Sequence, residues 1–146
     1  MQPCAIRLCN WDEARPEARR IRELVFVREQ GVPFELEWDE QDPCCDHALA
    51  YAADRLPVGT GRLLPDGHIG RLAVLKEWRG KGVGALLLRA LIEQARHRRH
   101  TRVRLNSQTY AAGFYRRYGF EVSGPEFMDA GIAHVPMQCD LAIGPG

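Results

Sequence analysis

Residues 69–97 read IGRLAVLKEWRGKGVGALLLRALIEQARH, and the change of pattern within this stretch decides the fold. The continuous apolar run at 72–75 is typical of a strand that is buried on both faces. Three glycines follow at alternate positions, 80, 82 and 84. Apolar residues then recur at the spacing of an amphipathic helix, at Val83, Leu86, Leu87, Ala90, Leu91 and Ala95. The stretch therefore predicts a strand, a glycine loop and a helix.

The glycine loop lies at the start of the predicted helix, which makes it a candidate pyrophosphate site. Glycines let the backbone approach a ligand without interference from a Cβ atom. The first N–H groups of a helix have no partner within the helix, and the helix dipole favours negative charge at that end. Residues 80–84 are therefore predicted to cradle phosphate groups.

Three classes of ligand compete for this cradle. The P-loop pattern of nucleoside triphosphate sites requires a glycine where Leu75 stands and a Ser or Thr where Gly82 stands, so it is excluded. The loose dinucleotide pattern is matched, but roughly 20 residues further on the chain has Arg102 and Arg104 instead of the required carboxylate. Coenzyme A is the third candidate.

Two stretches resemble the signatures of the GNAT superfamily of N-acetyltransferases. Residues 79–85, RGKGVGA, are similar to the R/Q-x-x-G-x-G/A signature. Asn106 with residues 111–120, AAGFYRRYGF, looks like the A-x-x-F-Y-x-x-x-G-F segment. The chain also resembles the ElaA-like branch of this superfamily at VFVREQ (25–30), at Asp39 and Asp42, and at GIAH (131–134). The chain departs from that branch at Met128, where glutamate is usual, and at Ala133, where proline is usual.

The resemblance implies an α/β fold in which a mixed, mostly antiparallel sheet of seven strands is flanked by about four helices. Residues 1–146 would form a single acetyl-CoA-binding domain, since a chain of 146 residues can bury one sizeable core. The predicted strands are 4–8, 47–53, 58–64, 72–75, 101–105, 120–122 and 134–141. The predicted helices run from Pro16 to about Arg28, from Val83 onward and from Tyr110 to Tyr118, with a turn at 10–15. The strand-helix-strand passage over 71–105 implies a parallel pair, and the first four strands form a meander.

Acetyl-CoA is the cosubstrate that the resemblance implies, and no metal is expected. In this family the strand before the glycine loop separates from its neighbour, and the pantetheine arm pairs with its backbone. The Val74 N–H would then hold the thioester oxygen as it becomes negative. The predicted acetyl-CoA contacts are Leu72, Ala73, Val74, Arg79, Gly80, Lys81, Gly82, Val83, Gly84, Asn106 and Tyr115.

Three side chains are candidates for the chemistry. The resemblance assigns Tyr115 as the acid that protonates the leaving thiolate; a packed helix aromatic is the structural alternative. His134 is the first candidate base, because histidine titrates near neutral pH and the related glyphosate-acetylating enzymes use a histidine in a similar setting. Glu29 is the alternative base, direct or through water, since a carboxylate at a helix C-terminus is in an unfavourable place.

An acidic, irregular stretch at 31–46 contains Glu35, Glu37, Asp39, Glu40, Asp42 and Asp46, with Phe34 and Trp38 among them. It predicts either a solvated loop with two anchoring aromatics or a wall of the acceptor site that attracts an amine. Long loops in compact domains are often functional.

Composition limits the other function classes. The net charge is +1, so no overall field attracts nucleic acid or a membrane, and no apolar run approaches the roughly 20 residues of a membrane span. The five cysteines are odd in number and contain no C-x-x-C pair, which indicates reduced thiols in a cytoplasmic protein.

The sequence thus predicts an acyltransferase that moves acetyl from acetyl-CoA directly to a primary amine of a small molecule or peptide. A non-catalytic acyl-CoA-binding or regulatory module on the same fold is the alternative, although a pure binder needs neither Tyr115 nor His134. Amino acids, small amines, amino sugars and peptide N-termini all stay open as acceptors. Homodimers are common in such folds, and the sequence shows no interface.

Overall fold

The computed structural model describes residues 4–33 and 39–141. The strands are β1 (Ala5–Cys9), β2 (Asp46–Tyr51), β3 (Pro57–Leu63), β4 (Ile69–Val74), β5 (Arg102–Gln108), β6 (Glu121–Val122), β7 (Phe127–Asp129) and β8 (Ile132–Asp140). The helices are α1 (Trp11–Arg22), α2 (Val83–His97) and α3 (Ala112–Arg116). A π-helical segment, Glu23–Glu29, continues α1, and short 3₁₀ turns occupy Asp42–Cys44, Lys76–Trp78 and Thr109–Ala111.

The strands form two sheets whose ladders are all antiparallel. The first has the order β1-β2-β3-β4, which confirms the predicted meander. The second has the order β5-β8-β6, and β7 also pairs with β8. The predicted mixed, mostly antiparallel α/β fold is confirmed, with three α-helices in the described chain and with β7 as a short strand that the sequence did not reveal.

β4 and β5 meet only at one end within the described residues. An isolated parallel bridge joins His68 to Arg104, and the Arg104 N–H donates to the Gly67 carbonyl at 3.1 Å. The parallel pair predicted over 71–105 is limited to this contact, and beyond it the two strands belong to separate sheets. On its other side β4 pairs with β3 through a bulge, and Arg71 in that bulge has a left-handed φ of +50°.

Two glycines of β3 let α2 lie close against the first sheet. A Cβ atom on Gly59 would stand 2.9 Å from Leu87 Cδ1, and one on Gly61 would stand 2.9 Å from Leu91 Cδ1. Such distances are shorter than carbon atoms tolerate, so a larger residue here would displace the helix. The buried residues of α2 are Val83, Leu87, Leu88, Leu91, Ile92 and Ala95. The predicted stripe is thus mostly correct, but Leu86 and Ala90 are only half-buried.

The first helix begins earlier than the sequence pattern predicted. Asn10 caps α1: its Oδ1 accepts from the Glu13 N–H at 2.9 Å, and Glu13 Oε1 accepts from the Asn10 N–H at 3.4 Å. This reciprocal capping box satisfies two backbone donors, so residues 11–15 are helical and the predicted turn at 10–15 is wrong. Pro16 lies inside the helix instead of starting it.

A buried ionic cluster joins α1, β3 and the segment before β2. Asp42 is 3% exposed and Arg22 is 2% exposed. Both Asp42 oxygens accept from Arg22, at 2.9 and 3.0 Å, and Oδ1 also accepts from Arg62 at 2.8 Å. Arg62 donates to Asp39 as well, at 2.6 Å, and Arg71 lies 3.7 Å from the same carboxylate.

The ionic cluster shows what two of the acidic residues in the stretch at 31–46 do. Asp39 and Asp42 neutralise arginines inside the protein, so these two carboxylates are structural. Burial alone would raise the pKa of Asp39, but hydrogen bonds from the Gln41 N–H and from Arg62 outweigh it and lower the pKa. The prediction for this stretch also included four residues that lie outside the described ones: Phe34, Glu35, Glu37 and Trp38.

Replacing Asp42 by Asn should lower the free energy of unfolding by about 3–5 kcal/mol, because it removes the buried negative charge that the Arg22 and Arg62 guanidinium groups both contact. Urea titration followed by circular dichroism would measure the loss. Asp140→Asn is the matched control, since the 2.7 Å pair between Asp140 and Arg102 is exposed and such pairs contribute about 0–1 kcal/mol. Equal losses in the two variants would show that the cluster does not stabilise the fold.

Candidate active site

A cavity of about 650 Å³ lies between β4 and β5, where the two strands have parted. It is lined by the end of the π-helical segment, by β4, by β5 and by the region of α3. The predicted site residues that line it are Leu72, Ala73, Val74, Arg79, Asn106, Tyr115 and His134. Gly80, Lys81, Gly82, Val83 and Gly84 follow Arg79 in the loop and the start of α2. Glu29 is not among the described residues that line this cavity.

β4 presents a free backbone edge to the cavity. The Leu75 N–H donates to the Val58 carbonyl of β3 at 2.9 Å. Successive N–H groups along a strand point to opposite sides, so the N–H of Val74 points away from β3. Val74 also lines the cavity. Its N–H is therefore available to a ligand that lies between the two sheets.

The glycine loop needs glycine for its backbone conformation. Gly80 has φ +76° and Gly82 has φ +85°, both in the left-handed region. A Cβ atom on either would have no described atom within 4 Å, so the space around the loop is open to a ligand. Gly82 is the N-cap of α2, whose first turn has no side-chain cap from the described residues and no acidic residue. Its N–H groups fit the phosphate cradle that the sequence predicted.

Arg79 holds the end of β4 against the π-helical segment. Its Nε donates to the Val74 carbonyl at 3.0 Å, and its two terminal nitrogens donate to the Glu29 carboxylate at 2.5 and 2.7 Å. The hydrogen bonds from Arg79 are the main cause that lowers the pKa of Glu29. The structure thus places Glu29 in an ion pair with Arg79, outside the described lining of the cavity to which His134 and Tyr115 belong.

Tyr115 is held by aromatic neighbours in a part-buried position. Its ring contacts Phe114 and Phe120 edge-on, with centroid distances of 5.1 and 6.0 Å. Burial, with a smaller contribution from Tyr110, raises the pKa of Tyr115 to about 12. The phenol therefore keeps its proton at neutral pH, which is the form a general acid requires. Within the described chain its hydroxyl has no hydrogen-bond partner.

His134 lies on β8, opposite Gln108 of β5 and opposite Phe127 of β7. Its Nδ1 is 2.8 Å from the Ile132 carbonyl, and since a carbonyl can only accept, Nδ1 carries the proton in the neutral ring. The lone pair is then on Nε2. The ring also stacks on Phe127 at 5.7 Å, which fixes its plane. His134 therefore lines the cavity with a nitrogen that can accept a proton.

Several cavity residues were missed by the sequence analysis. They are Val25, Phe26, Gln30, Gln41, Arg62, Leu64, His68, Ile69, Gly70, Arg71, Leu105, Gln108, Tyr110, Ala111 and Phe114. Asp129 also lines the cavity. Val25, Phe26 and Gln30 fall in the VFVREQ stretch, which resembled the family but carried no local sign of a role. Among residues 4–33 and 39–141, no three His, Cys, Asp or Glu side chains converge as a metal ion would require.

The arrangement agrees with comparisons to known proteins. The family model for the acetyltransferase (GNAT) domain matches residues 40–141. The chain belongs to the GNAT acetyltransferase family. It is 41% identical over 133 residues to the uncharacterised N-acetyltransferase YjcF of Bacillus subtilis, which covers 88% of this chain and 94% of YjcF.

Solved structures show the same likeness. The acyl-CoA N-acyltransferase from Pseudomonas aeruginosa superposes with a TM-score of 0.82 at 28% identity, over 93% of this chain and 99% of that one. ElaA from Escherichia coli superposes with a TM-score of 0.83 at 25% identity, over 94% of this chain and 99% of ElaA. The GNAT fold and the likeness to ElaA expected from the sequence are both confirmed.

Two further findings concern the chain as a whole. None of the helices formed by the described residues is both long and apolar enough to cross a bilayer. All five cysteines are free thiols: Cys4, Cys9, Cys44, Cys45 and Cys139.

Replacing Gly82 by Val should weaken acetyl-CoA binding about tenfold, because a β-branched residue at φ +85° costs roughly 1–2 kcal/mol and displaces the loop. Titration calorimetry with acetyl-CoA would measure the affinity. Gly131→Val is the matched control: Gly131 has φ +78° and open space around its Cβ, but it lies in the turn between β7 and β8. Equal affinity in the two folded variants would contradict the phosphate cradle.

Proposed function

We propose that this protein is an acetyl-CoA-dependent N-acetyltransferase that moves the acetyl group directly to a primary amine of a small molecule or peptide. The observation that carries the proposal is the cavity between β4 and β5. It is lined by the free edge of Val74, by Tyr115 and by His134, so one space holds a backbone donor, an acid and a base.

The loop and the strand edge fit coenzyme A. The start of α2, which has no side-chain cap from the described residues, supplies backbone N–H groups to the pyrophosphate. Lys81, whose ammonium lies 5.5 Å from the centroid of the Trp78 ring, adds a positive charge to the same loop. The exposed edge of β4 offers backbone groups to the amides of the pantetheine arm, in the manner of an added strand. Asn106 lines the same cavity on β5, where its side-chain amide can contact that arm.

Bound acetyl-CoA supplies an activated acyl group as a thioester. A neutral amine forms the new C–N bond at the thioester carbonyl, and the C–S bond breaks. The Val74 N–H stabilises the carbonyl oxygen while it carries negative charge. His134 Nε2 first takes a proton from the ammonium form of the acceptor, which gives the neutral amine. Tyr115 gives its proton to the departing sulfur and regains one from the nitrogen of the forming amide. His134 then releases its proton to solvent, and the products are an amide and a free thiol.

A screen of primary amines with acetyl-CoA tests the proposal, following the release of free thiol. Amino acids, small amines, amino sugars and peptides with free N-termini form the panel. Thiol release that depends on one class of amine would support the proposal, and mass spectrometry would identify the acetylated nitrogen. Tight acetyl-CoA binding without turnover on any amine would instead favour the non-catalytic binding module.

Tyr115→Phe should lower kcat about 10²–10⁴-fold and leave acetyl-CoA affinity unchanged, because it removes only the hydroxyl. The hydroxyl has no described hydrogen-bond partner, so its removal leaves no buried group unsatisfied. Steady-state kinetics and calorimetry would separate the two effects. Tyr118→Phe is the control, since that ring packs against Phe114 outside the cavity lining. Unchanged kcat in Tyr115→Phe would remove this residue from the chemistry.

His134→Ala should depress the rate at neutral pH and leave acetyl-CoA binding intact. Raising the pH should restore part of the rate, because a larger fraction of the amine is then neutral without help from a base. Rates measured from acidic to alkaline pH would show this. A profile for His134→Ala that coincides with the wild-type profile would assign His134 a structural role.

A further inference from the structure

Two consecutive side chains at the end of the π-helical segment contact opposite walls of the cavity. The Glu29 carboxylate accepts hydrogen bonds from both terminal nitrogens of Arg79, which follows β4 in the chain. Gln30 Oε1 accepts from Gln108 Nε2 of β5 at 2.9 Å. The segment therefore spans the gap between the two strands on the side away from the bridge at His68 and Arg104.

Consecutive side chains of a helical segment point in different directions, which lets Glu29 and Gln30 reach different strands. The segment ends in a π turn, in which the Gln30 N–H donates to the Val25 carbonyl five residues back, at 3.0 Å. Gly31, with φ +75°, then ends the segment. Val25, Phe26 and Gln30 line the cavity, while Glu29 meets the guanidinium of Arg79.

Arg79 connects this segment to both parts of the predicted acetyl-CoA site. Its Nε holds the carbonyl of Val74, whose N–H is the expected oxyanion donor, and its own backbone leads directly into Gly80. Glu29 occupies the other two nitrogens, so the guanidinium has one orientation instead of several. A planar fork held at three nitrogens fixes the path of the chain from Val74 to the glycine loop.

We propose that Glu29 is a positioning residue for acetyl-CoA: its pair with Arg79 holds the end of β4 and the glycine loop in the shape that receives the pantetheine arm and the pyrophosphate. The inference rests on the proposed function and deepens it. This positioning role replaces the role of base that the sequence suggested for Glu29. Arg79 engages both oxygens of the carboxylate, and the carboxylate is outside the described cavity lining.

The experiment compares Glu29→Gln with the wild-type protein in two measurements. Calorimetry with coenzyme A should show affinity reduced about two- to fivefold, as expected for loss of a part-exposed, bidentate ion pair. Hydrogen exchange without ligand should show faster exchange of the backbone amides in residues 80–86, because the loop loses its anchor. In kinetics, KM for acetyl-CoA should rise by a similar factor while kcat keeps its wild-type dependence on pH.

A double-mutant cycle tests whether Glu29 acts through Arg79. Arg79→Gln should weaken coenzyme A binding at least as much as Glu29→Gln, and the double variant should be no weaker than Arg79→Gln alone. Arg79→Lys should recover little affinity, since an ammonium cannot hold Val74 and both Glu29 oxygens together. Asp140→Asn is the control for loss of an exposed carboxylate paired with arginine, and it should bind coenzyme A like the wild type.

The outcomes separate the inference from the function on which it rests. Wild-type protein that does not bind coenzyme A would overturn both. Coenzyme A affinity and loop exchange that are unchanged in Glu29→Gln would overturn the positioning role alone. Normal affinity with a collapsed kcat that alkaline pH restores would make Glu29 the base. Additive losses in the double variant would show that Glu29 does not act through Arg79.

Discussion

The separation of β4 from β5 is the constraint on which the rest of the structure depends. A continuous parallel ladder would use the N–H of Val74 for hydrogen bonding within a sheet and leave no space for a ligand. Here the two strands touch at His68 and Arg104 and then enter different sheets, so β4, which is buried only at Ile69 and Ala73, retains a free edge towards the cavity. A ligand that pairs with this edge satisfies its backbone hydrogen-bonding groups as a neighbouring strand would.

Packing on both sides of β4 keeps this edge in place. Gly59 and Gly61 of β3 allow α2 to press on one face of the first sheet, which places the start of α2 close to the end of β4. Near the bulge, Arg62 and Arg71 meet Asp39, and Arg62 and Arg22 meet Asp42. The ionic cluster thus ties the bulged part of β4 to α1. The helix that begins at the glycine loop and the strand that carries the free edge are held by separate contacts.

Signals that lie within a few residues of each other predicted most of the fold. The stripe of α2, the glycine loop and the meander all follow from local periodicity and turns, and they were correct. The start of α1 was wrong because the capping box of Asn10 and Glu13 outweighed the preference of proline for a first turn. Strand β7 has three residues, too few for a period to appear. The limited pairing of β4 with β5 has no local signal, since it depends on a bulge and on a neighbouring sheet.

In the site, too, local motifs were predictable from the sequence and contacts between distant residues were not. The distant contacts determine which charges an incoming amine would meet. The motif residues Tyr115 and His134 were found by resemblance, but the partners of the acidic residues were not: Arg79 is 50 positions from Glu29, and Arg62 is 23 positions from Asp39. Those pairings neutralise Glu29, which the sequence offered as a base, and Asp39, which it offered as part of a surface that attracts an amine. In the described chain, the acidic residue that lines the cavity is Asp129, on the hairpin that also carries His134. Under the proposed function, the charge that attracts an ammonium group and the base that deprotonates it therefore come from one hairpin.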